Sequence, residues 1–580
     1  MSHKSKLILL ASLCLSTVAY SQQVEEGCYN DWDYGPHGVY GNLLLTKTKE
    51  RGYFKIEKGG SQTVVVKQVN PSGIVINTDS VIFLNGILSE VDKTNQWGET
   101  YEYLHFEPKG ENEFHVTDLV RGRNAFLPCK YALYVYKKDL LAEVQFYSFT
   151  GELAEDRNGV AIIEYKRYDD HIRFAEREET SFFDAQRRPV RSRSAEYHKL
   201  VYQYDDHDNK MSESYLGIHD EPITIQRSNV AGIRFYYDDD NNVIKDEWRG
   251  IDNKVTLNIN GIAAATMEYD QGYVIKGTRY DSLGHTRRAL ASGDGISIIK
   301  YEYDTAGNRI REAYFDEGGK PINNHEGVHE IASFFSPGNM KTRISYFDAF
   351  GRPCINRDSI NATVFVRDDK NRVIQESNYG EDGQPLKTYT EEVFMIKSKY
   401  DHYGRNILNS YWADSNMKMP NWNGCYGIAT KYDDDGQPTE YIGLNADGEP
   451  FLSEGGYSTM KLVYNADGRL GERQFLFNNQ LVSRKDGVTM HYGIIKYGYD
   501  QSGKENELTF WGVNREPVNA TVWIDDSVAA HRIEFIYRGN RVIEQRYYKT
   551  DAPEAFQVLD CLNNDFLNLS GINVGRKNEN

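Results

Sequence analysis

The sequence predicts an all-β protein: tandem β-hairpin repeats forming a solenoid or an elongated meandering sheet, with a small β-rich N-terminal domain. Three observations predict it. An aromatic-Asp pair closes an alternating run at Tyr204, Tyr237, Tyr269 and Tyr303, at intervals of 33, 32 and 34, and again at Tyr400, Tyr432, Tyr464 (with Asn465 in place of Asp) and Tyr499, at 32, 32 and 35. Phe335 and Arg367-Asp368 fill the two slots between Tyr303 and Tyr400. A Pro after a turn keeps the same phase at Pro189, Pro222, Pro321, Pro353, Pro385, Pro450 and Pro517. The third observation is composition: 42 Tyr and 13% aromatic residues suit a pleated, half-buried surface, and no window of the array carries a useful 3.6-residue apolar stripe.

One copy shows the unit. Ile299, Tyr301 and Tyr303 alternate with Lys300 and Glu302, the period-two pattern of a strand with one buried face. Asp304-Thr305-Ala306-Gly307-Asn308 is a hairpin loop, because Asp, Gly and Asn suit tight turns. Arg309 to Asp316 is the second strand, Glu317 to Pro321 a second turn, and Ile322 to Glu326 an extended return to the next copy. A lone hairpin is marginal, so stacked neighbours must supply the missing contacts. Pro has no N–H for a ladder and belongs at a strand start or edge.

These motifs resemble YD repeats of the RHS type, through Tyr303-Asp304-x-x-Gly307-Asn308-x-Ile310, Tyr237-Asp238-x-x-Asn241-Asn242-x-Ile244 and Tyr400-Asp401-x-x-Gly404-Arg405-x-Ile407. The likeness covers about residues 143–550, with a longer period than that family's units and no self-cleaving core motif. It implies an all-β spiral or sheet that serves as a scaffold or an adhesive surface.

The organisation expected is a signal peptide at 1–21, a β-rich capping domain at 22–142, about twelve repeats at 143–550, and a C-terminal tail at 551–580. Lys4 and Lys6 precede an apolar run from Leu7 to Ala19, too short to span a bilayer, and Ala19-Tyr20-Ser21 fits cleavage after Ser21. The chain is therefore expected to be secreted, periplasmic or at the cell surface. In residues 22–142, Thr63–Val69, Gly73–Asn77 and Tyr131–Tyr136 read as strands that cap the first repeat.

The formal net charge is -18, and -20 after loss of the signal, which argues against nucleic acid or an anionic membrane as partner. Five cysteines remain after cleavage, an odd number; Cys28 and Cys129 bracket the non-repeat region and are the favoured disulfide, with buried thiols as the alternative. No CxxC pair supports a cysteine zinc site.

One segment has the form of a zinc-peptidase signature, His325-Glu326-Gly327-Val328-His329. That chemistry needs a helix, so that two His one turn apart share one ion. The repeat register instead puts the segment in a return and a strand start, where residues four apart are about 13 Å apart. Asp433-Asp434-Asp435-Gly436 and Asn445-Ala446-Asp447-Gly448 have the look of calcium loops but recur as turns of the unit and lack the later bidentate Glu. No catalytic, cofactor or metal residues are therefore assigned. The expected function is a non-catalytic scaffold or adhesion protein that binds a protein partner. The alternative is carbohydrate binding through Trp248, Trp412, Trp422, Trp511 and Trp523, which otherwise fill gaps between units.

Overall fold

The computed structural model describes residues 27–43, 52–118 and 129–560, apart from 130, 139, 149, 157, 169–176, 206–208, 288–294, 389–390, 435, 466–468, 485–491, 501–504, 522–528, 539–540 and 551. The signal segment with its cleavage position at Ser21, the Cys28 side chain, Trp523, Cys561 and the tail beyond 560 lie outside them. The described residues contain strands and turns and no helix. Two compact units are present: residues 1–438 with 444–449, and residues 439–443 with 450–580.

Unit one begins with antiparallel strands that pair in sequence order from Thr63–Val69 through Val75–Leu84, Ile87–Asn95 and Thr100–Pro108. Their alternation buries Val66, Val81, Val91, Phe106 and Phe114 in one cluster. The rings of Phe106 and Phe114 meet edge to face, with centroids 6.2 Å apart. Pairing passes into the array without a break, Leu140–Tyr147 lying against Ile162–Arg167.

Each repeat is a hairpin whose second strand also pairs with the next first strand. Ile298–Tyr303 pairs with Arg309–Phe315, which then pairs with Glu330–Phe335 through Arg311↔Ala332 and Ala313↔Glu330. Three five-residue loops of one design set the period. Asp304 Oδ1 accepts the N–H groups of Ala306 and Asn308, both at 2.9 Å, while Gly307 N–H donates to the Asp304 carbonyl at 3.0 Å. Twelve residues on, Asp316 Oδ1 takes Gly318 and Lys320; eight further on, Asn324 Oδ1 takes Glu326 and Val328. Another twelve residues reach Ser336, whose Oγ accepts Met340 N–H, and the cycle restarts. The fourth loop position has positive φ: 82° at Gly307, 83° at Gly327 and 59° at Asn339. Gly or Asn recurs there because other side chains are strained in that region. The return segment read as simply extended is thus itself a loop of this kind.

The tyrosine of the Tyr-Asp pair ties one hairpin to the one before. Tyr237, Tyr269, Tyr303, Tyr400 and Tyr432 donate their hydroxyls to the carbonyls of Lys210, Val243, Val274, Val373 and Asn406, at 2.8 to 3.1 Å. Each acceptor lies 26 to 29 residues upstream, at or next to the start of the previous second strand. Where Arg367 takes the slot, its Nε donates to Lys341 O at 2.8 Å, so the change of residue keeps the bond. Pro placement has an equally local reason. Pro321 faces Phe315 in a bridge whose flanking hydrogen bonds are Asp316 N–H to Lys320 O and Ile322 N–H to Tyr314 O, so its missing N–H is not needed.

Unit two holds the hairpins Thr459–Tyr464 with Leu470–Phe477, Ile494–Tyr499 with Glu505–Trp511, and Arg532–Arg538 with Arg541–Tyr548. Gln557–Asp560 adds a strand within the stretch read as a tail. Tyr499 and Tyr537 repeat the hydroxyl bond, to Leu470 O and Glu505 O. Phe475, Tyr492 and Phe510 are fully buried and meet edge to face along the core.

Two outcomes are expected. Tyr400→Phe removes one inter-hairpin bond and should lower stability by about 1 kcal/mol, whereas Phe335→Tyr should not destabilise; urea unfolding of both variants checks this. In unit two, burial pushes the Glu505 carboxyl up from 4.5 to about 7, against the pull of the Arg473 guanidinium. Between those two values the folded state holds a proton that the unfolded state has lost, so stability falls as pH rises through that window. Glu505→Gln should abolish a fall of about 3 kcal/mol between pH 4.5 and 7.5; an identical pH profile in the variant would refute the assignment.

Candidate interaction surface

The residues with a catalytic look serve the repeat. Asn324 to Val328 is the third loop of its unit, closed by Gly327 N–H to Asn324 O at 3.0 Å, so His325 and His329 do not share a helix face. His325 is exposed, with Nε2 3.9 Å from Glu326 Oε1. His329 is buried, its Nδ1 3.1 Å from the carbonyl oxygen of Ile322 and its ring against the face of Phe315. His198 fills the same slot with Nδ1 2.8 Å from Phe182 O, and Asn361 fills it with Nδ2 donating to Tyr346 O and Cys354 O. In these three copies the slot's side chain donates to carbonyls at the strand end, while Ala231 and Ala263 fill the same slot with no side-chain donor. No group of three His, Cys, Asp or Glu side chains able to hold a metal lies among the described residues.

The calcium-like loops are turns as well. Asp433 Oδ1 accepts Gln437 N–H, and Asn445 Oδ1 accepts the N–H groups of Asp447 and Glu449. Cys129 is buried with Sγ 3.6 Å from Ala154 O, and burial pushes its thiol up to about 12.

The tryptophans read as gap fillers or ring platforms divide clearly. Trp248 is buried. Trp412 is half-buried, with Lys397 Nζ 3.8 Å from the ring centroid and its indole N–H donating to Ser410 Oγ. Trp511 carries Lys496 Nζ at 4.0 Å and donates to Thr509 Oγ1. An ammonium on the ring face competes with a stacking sugar. Trp422 is the exposed member of the set, at 39%.

The two edges of the unit-one array differ. Hairpin turns line one edge, and loops of the N-terminal region lie along part of it. Asn70 Nδ2 donates to Ala306 O at 3.0 Å, Tyr273 hydroxyl donates to Ser72 Oγ at 3.0 Å, and Trp97 Nε1 donates to Gly338 O at 2.8 Å. These contacts join residues more than 200 apart in sequence.

The second and third loops of every repeat line the opposite edge. Successive third loops are bonded there, Arg193 N–H to Asn158 O and Ile259 N–H to Ser228 O. This edge exposes large apolar side chains in four of five copies, at Ile218, Ile251, Ile259, Leu283, Phe350 and Ile355, with Leu283 at 79% and Phe350 at 83%. Exposed apolar residues scattered singly are ordinary, but a repeated row on one edge has the character of an interaction surface. Sequence reasoning passed over this row because these residues sit inside turns. The signal was present in Asp281-Ser282-Leu283-Gly284 and Asp348-Ala349-Phe350-Gly351, where a position whose side chain takes no part in the loop's hydrogen bonds holds a large apolar residue.

No protein-family model and no curated protein matches the chain. Among solved structures, a chain of the TcdB2-TccC3-TEV crystal structure is similar at 12% identity and TM-score 0.33, covering 91% of this chain and 29% of that one. A chain of the TcdB2-TccC3-Cdc42 crystal structure is similar at 12% identity and TM-score 0.34, covering 89% and 28%. The present chain thus spans less than a third of the length of either.

His329→Ala should lower the melting temperature by several degrees, since a buried donor to a carbonyl is lost, and His325→Ala should leave it unchanged. Zinc binding by calorimetry that disappears in either variant would contradict this assignment. Calcium or chelator should shift the melt by less than about 1 °C, because the loop carboxylates already accept backbone N–H groups.

Proposed function

We propose that this chain is an exported, non-catalytic repeat scaffold that binds a protein partner at the cell envelope or outside the cell. One observation carries the reading: the row of exposed apolar side chains along the loop edge, repeated from Ile218 to Ile355. The hairpin-turn edge is occupied in part by the chain's own N-terminal loops, so the loop edge is the one offered outward. The repeat supports this role. Every copy uses the same three loops, so side chains at the free loop positions vary at little cost to the fold. The acidic surface keeps a long array in solution and discourages anionic partners. The basic and apolar N-terminal segment supports export, with cleavage after Ser21. The YD/RHS-type resemblance of the Tyr-Asp hairpins fits a scaffold.

The test uses the mature protein, residues 22–580, presented to envelope fractions with cross-linking. The triple variant Ile259→Asp, Leu283→Asp, Phe350→Asp should keep the melting temperature within about 2 °C, since all three side chains are exposed, and should reduce capture of the partner at least tenfold. Unchanged capture by that variant would place the binding elsewhere. Binding to polysaccharide with none to protein would replace the reading with carbohydrate recognition.

A further inference from the structure

The register of the array exposes one copy that breaks its own pattern. Just past the second loop, one residue per repeat donates its N–H to a carbonyl on the second strand. After the first copy, where Ala154 donates to Phe146, the unit-one donors are Val190, Ile223, Thr256, Arg287, Ile322, Cys354 and Met419, and their acceptors are Phe182, Tyr215, Trp248, Arg279, Tyr314, Tyr346 and Tyr411, at 2.9 to 3.2 Å. Donor and acceptor sit opposite each other on one face. Six of the seven acceptors are aromatic, and five of the seven donors are apolar. Both rules fail together at Arg279 and Arg287, and the donor before them is the small polar Thr256.

Two arginines therefore occupy opposed strand positions where most other copies place an aromatic residue opposite an apolar one. Like charges in directly opposed positions are destabilising, and a desolvated guanidinium without an acceptor is costly. Arg279 Nη1 donates to Ile296 O at 3.1 Å. Arg287 Nε is shielded from solvent and meets no acceptor. The acid closest along the chain, Asp281, is committed to its own loop, its Oδ1 accepting Leu283 and His285 N–H and its Oδ2 3.5 Å from His285 Nδ1.

Arg287 lines a cleft that three consecutive repeats build. Gln226 and Asn229 come from one third loop, Leu257, Ile259 and Gly261 from the next, and Arg287 from the return segment after it. Ile259 is half exposed at the cleft, and it belongs to the apolar row with Leu283. The lining thus combines one cationic side chain, Arg287, an apolar wall and the Gln226 amide, while the Asn229 amide already donates to Leu257 O at 3.3 Å.

We propose that this cleft is a binding site for an extended peptide segment of a protein partner, one that places a carboxylate beside an apolar side chain. The carboxylate is held by Arg287, and the apolar side chain lies on Leu257 and Ile259. The inference rests on the reading of the loop edge as an interaction surface and adds the chemistry it selects. Charge complementarity chooses the ligand. The positive charge is local, while the whole chain is strongly acidic, so a short acidic motif is accepted and a polyanion is repelled. Arginine suits the task because its planar fork meets a carboxylate with two parallel hydrogen bonds.

The experiment measures fluorescence anisotropy of the mature chain with labelled Ac-Gly-Leu-Glu-Ile-Gly-NH2 and with its Gln counterpart, at low ionic strength. The Glu peptide should bind at least tenfold more tightly than the Gln peptide. Arg287→Leu restores the apolar residue type of the other copies. It should bring the Glu peptide down to the Gln level while the melting temperature stays the same or rises. Equal binding of the two peptides, full binding by Arg287→Leu, or no binding up to about 1 mM would overturn the proposal, as would inorganic phosphate binding in place of the peptide. Envelope capture that survives in Arg287→Leu but fails in the apolar triple variant overturns this site while the edge reading stands. Capture unaffected by the triple variant overturns the edge reading itself.

Discussion

The structure depends on one hydrogen bond made again and again, from the aromatic slot that ends each first strand to a carbonyl at the start of the previous second strand. A hairpin of six- and seven-residue strands closes its own ladder but meets the next hairpin through only three residue pairs. The phenol adds a second tie. Its half-buried ring lies between hairpins and its hydroxyl reaches a carbonyl of the previous one, so stacking and register reinforce each other. The residue that closes the hairpin loop then covers the next ring. Arg372 lies 5.0 Å from the centroid of Tyr400, and Arg405 lies 4.7 Å from that of Tyr432. Arg367 shows that the donor matters more than the ring, because a guanidinium in the slot makes the same bond.

Much of this was legible in the sequence, because the features that fix the period are also compositional. Tyr, Asp and Gly stand at set spacings since each has a separate backbone duty: the inter-hairpin bond, the loop acceptor and the positive φ. The Pro marker was legible for the same reason. The third loop was not, because its first residue is Asn258, Asn324, Asn356 or Asn421 in some copies and Ser192, Thr388 or Ser453 in others. The contacts of Asn70 and Trp97 with turns more than 200 residues away were also invisible. They join carbonyls to ordinary side chains, and the geometry of the array alone brings them together. Register did settle the one apparent catalytic motif. His329 falls in a slot that His198 and Asn361 also occupy, so its ring is explained by the strand end it serves.

Polarity in the interior follows from the same design. Small units cannot bury large apolar cores, and this chain compensates with amphipathic side chains whose polar ends find local partners. Tyr314 donates to Glu312, and Tyr215 to Glu213. Glu505 marks where that accommodation is incomplete, since its Oε1 is buried without a donor and Arg473 offers charge without contact. A buried carboxyl in that position stays protonated longer on the way up in pH, which makes unit two sensitive to pH.

A repeat provides its own reference, so departures from it carry information that a single-copy fold would hide. Phe335 drops a hydroxyl and Arg367 keeps the bond by other means; both are tolerable inside the stacking scheme. Arg279 and Arg287 are different. Each alone would replace an apolar contact with a charge, and together they oppose two charges of one sign across a strand pair. Stacking gains nothing from this arrangement, and the apolar residues at the equivalent positions of the other copies show that the fold does not require it. The exception falls beside a cleft built by three repeats, on the edge that carries the exposed apolar row. A cost to packing placed beside that cleft is accounted for by what lies against it.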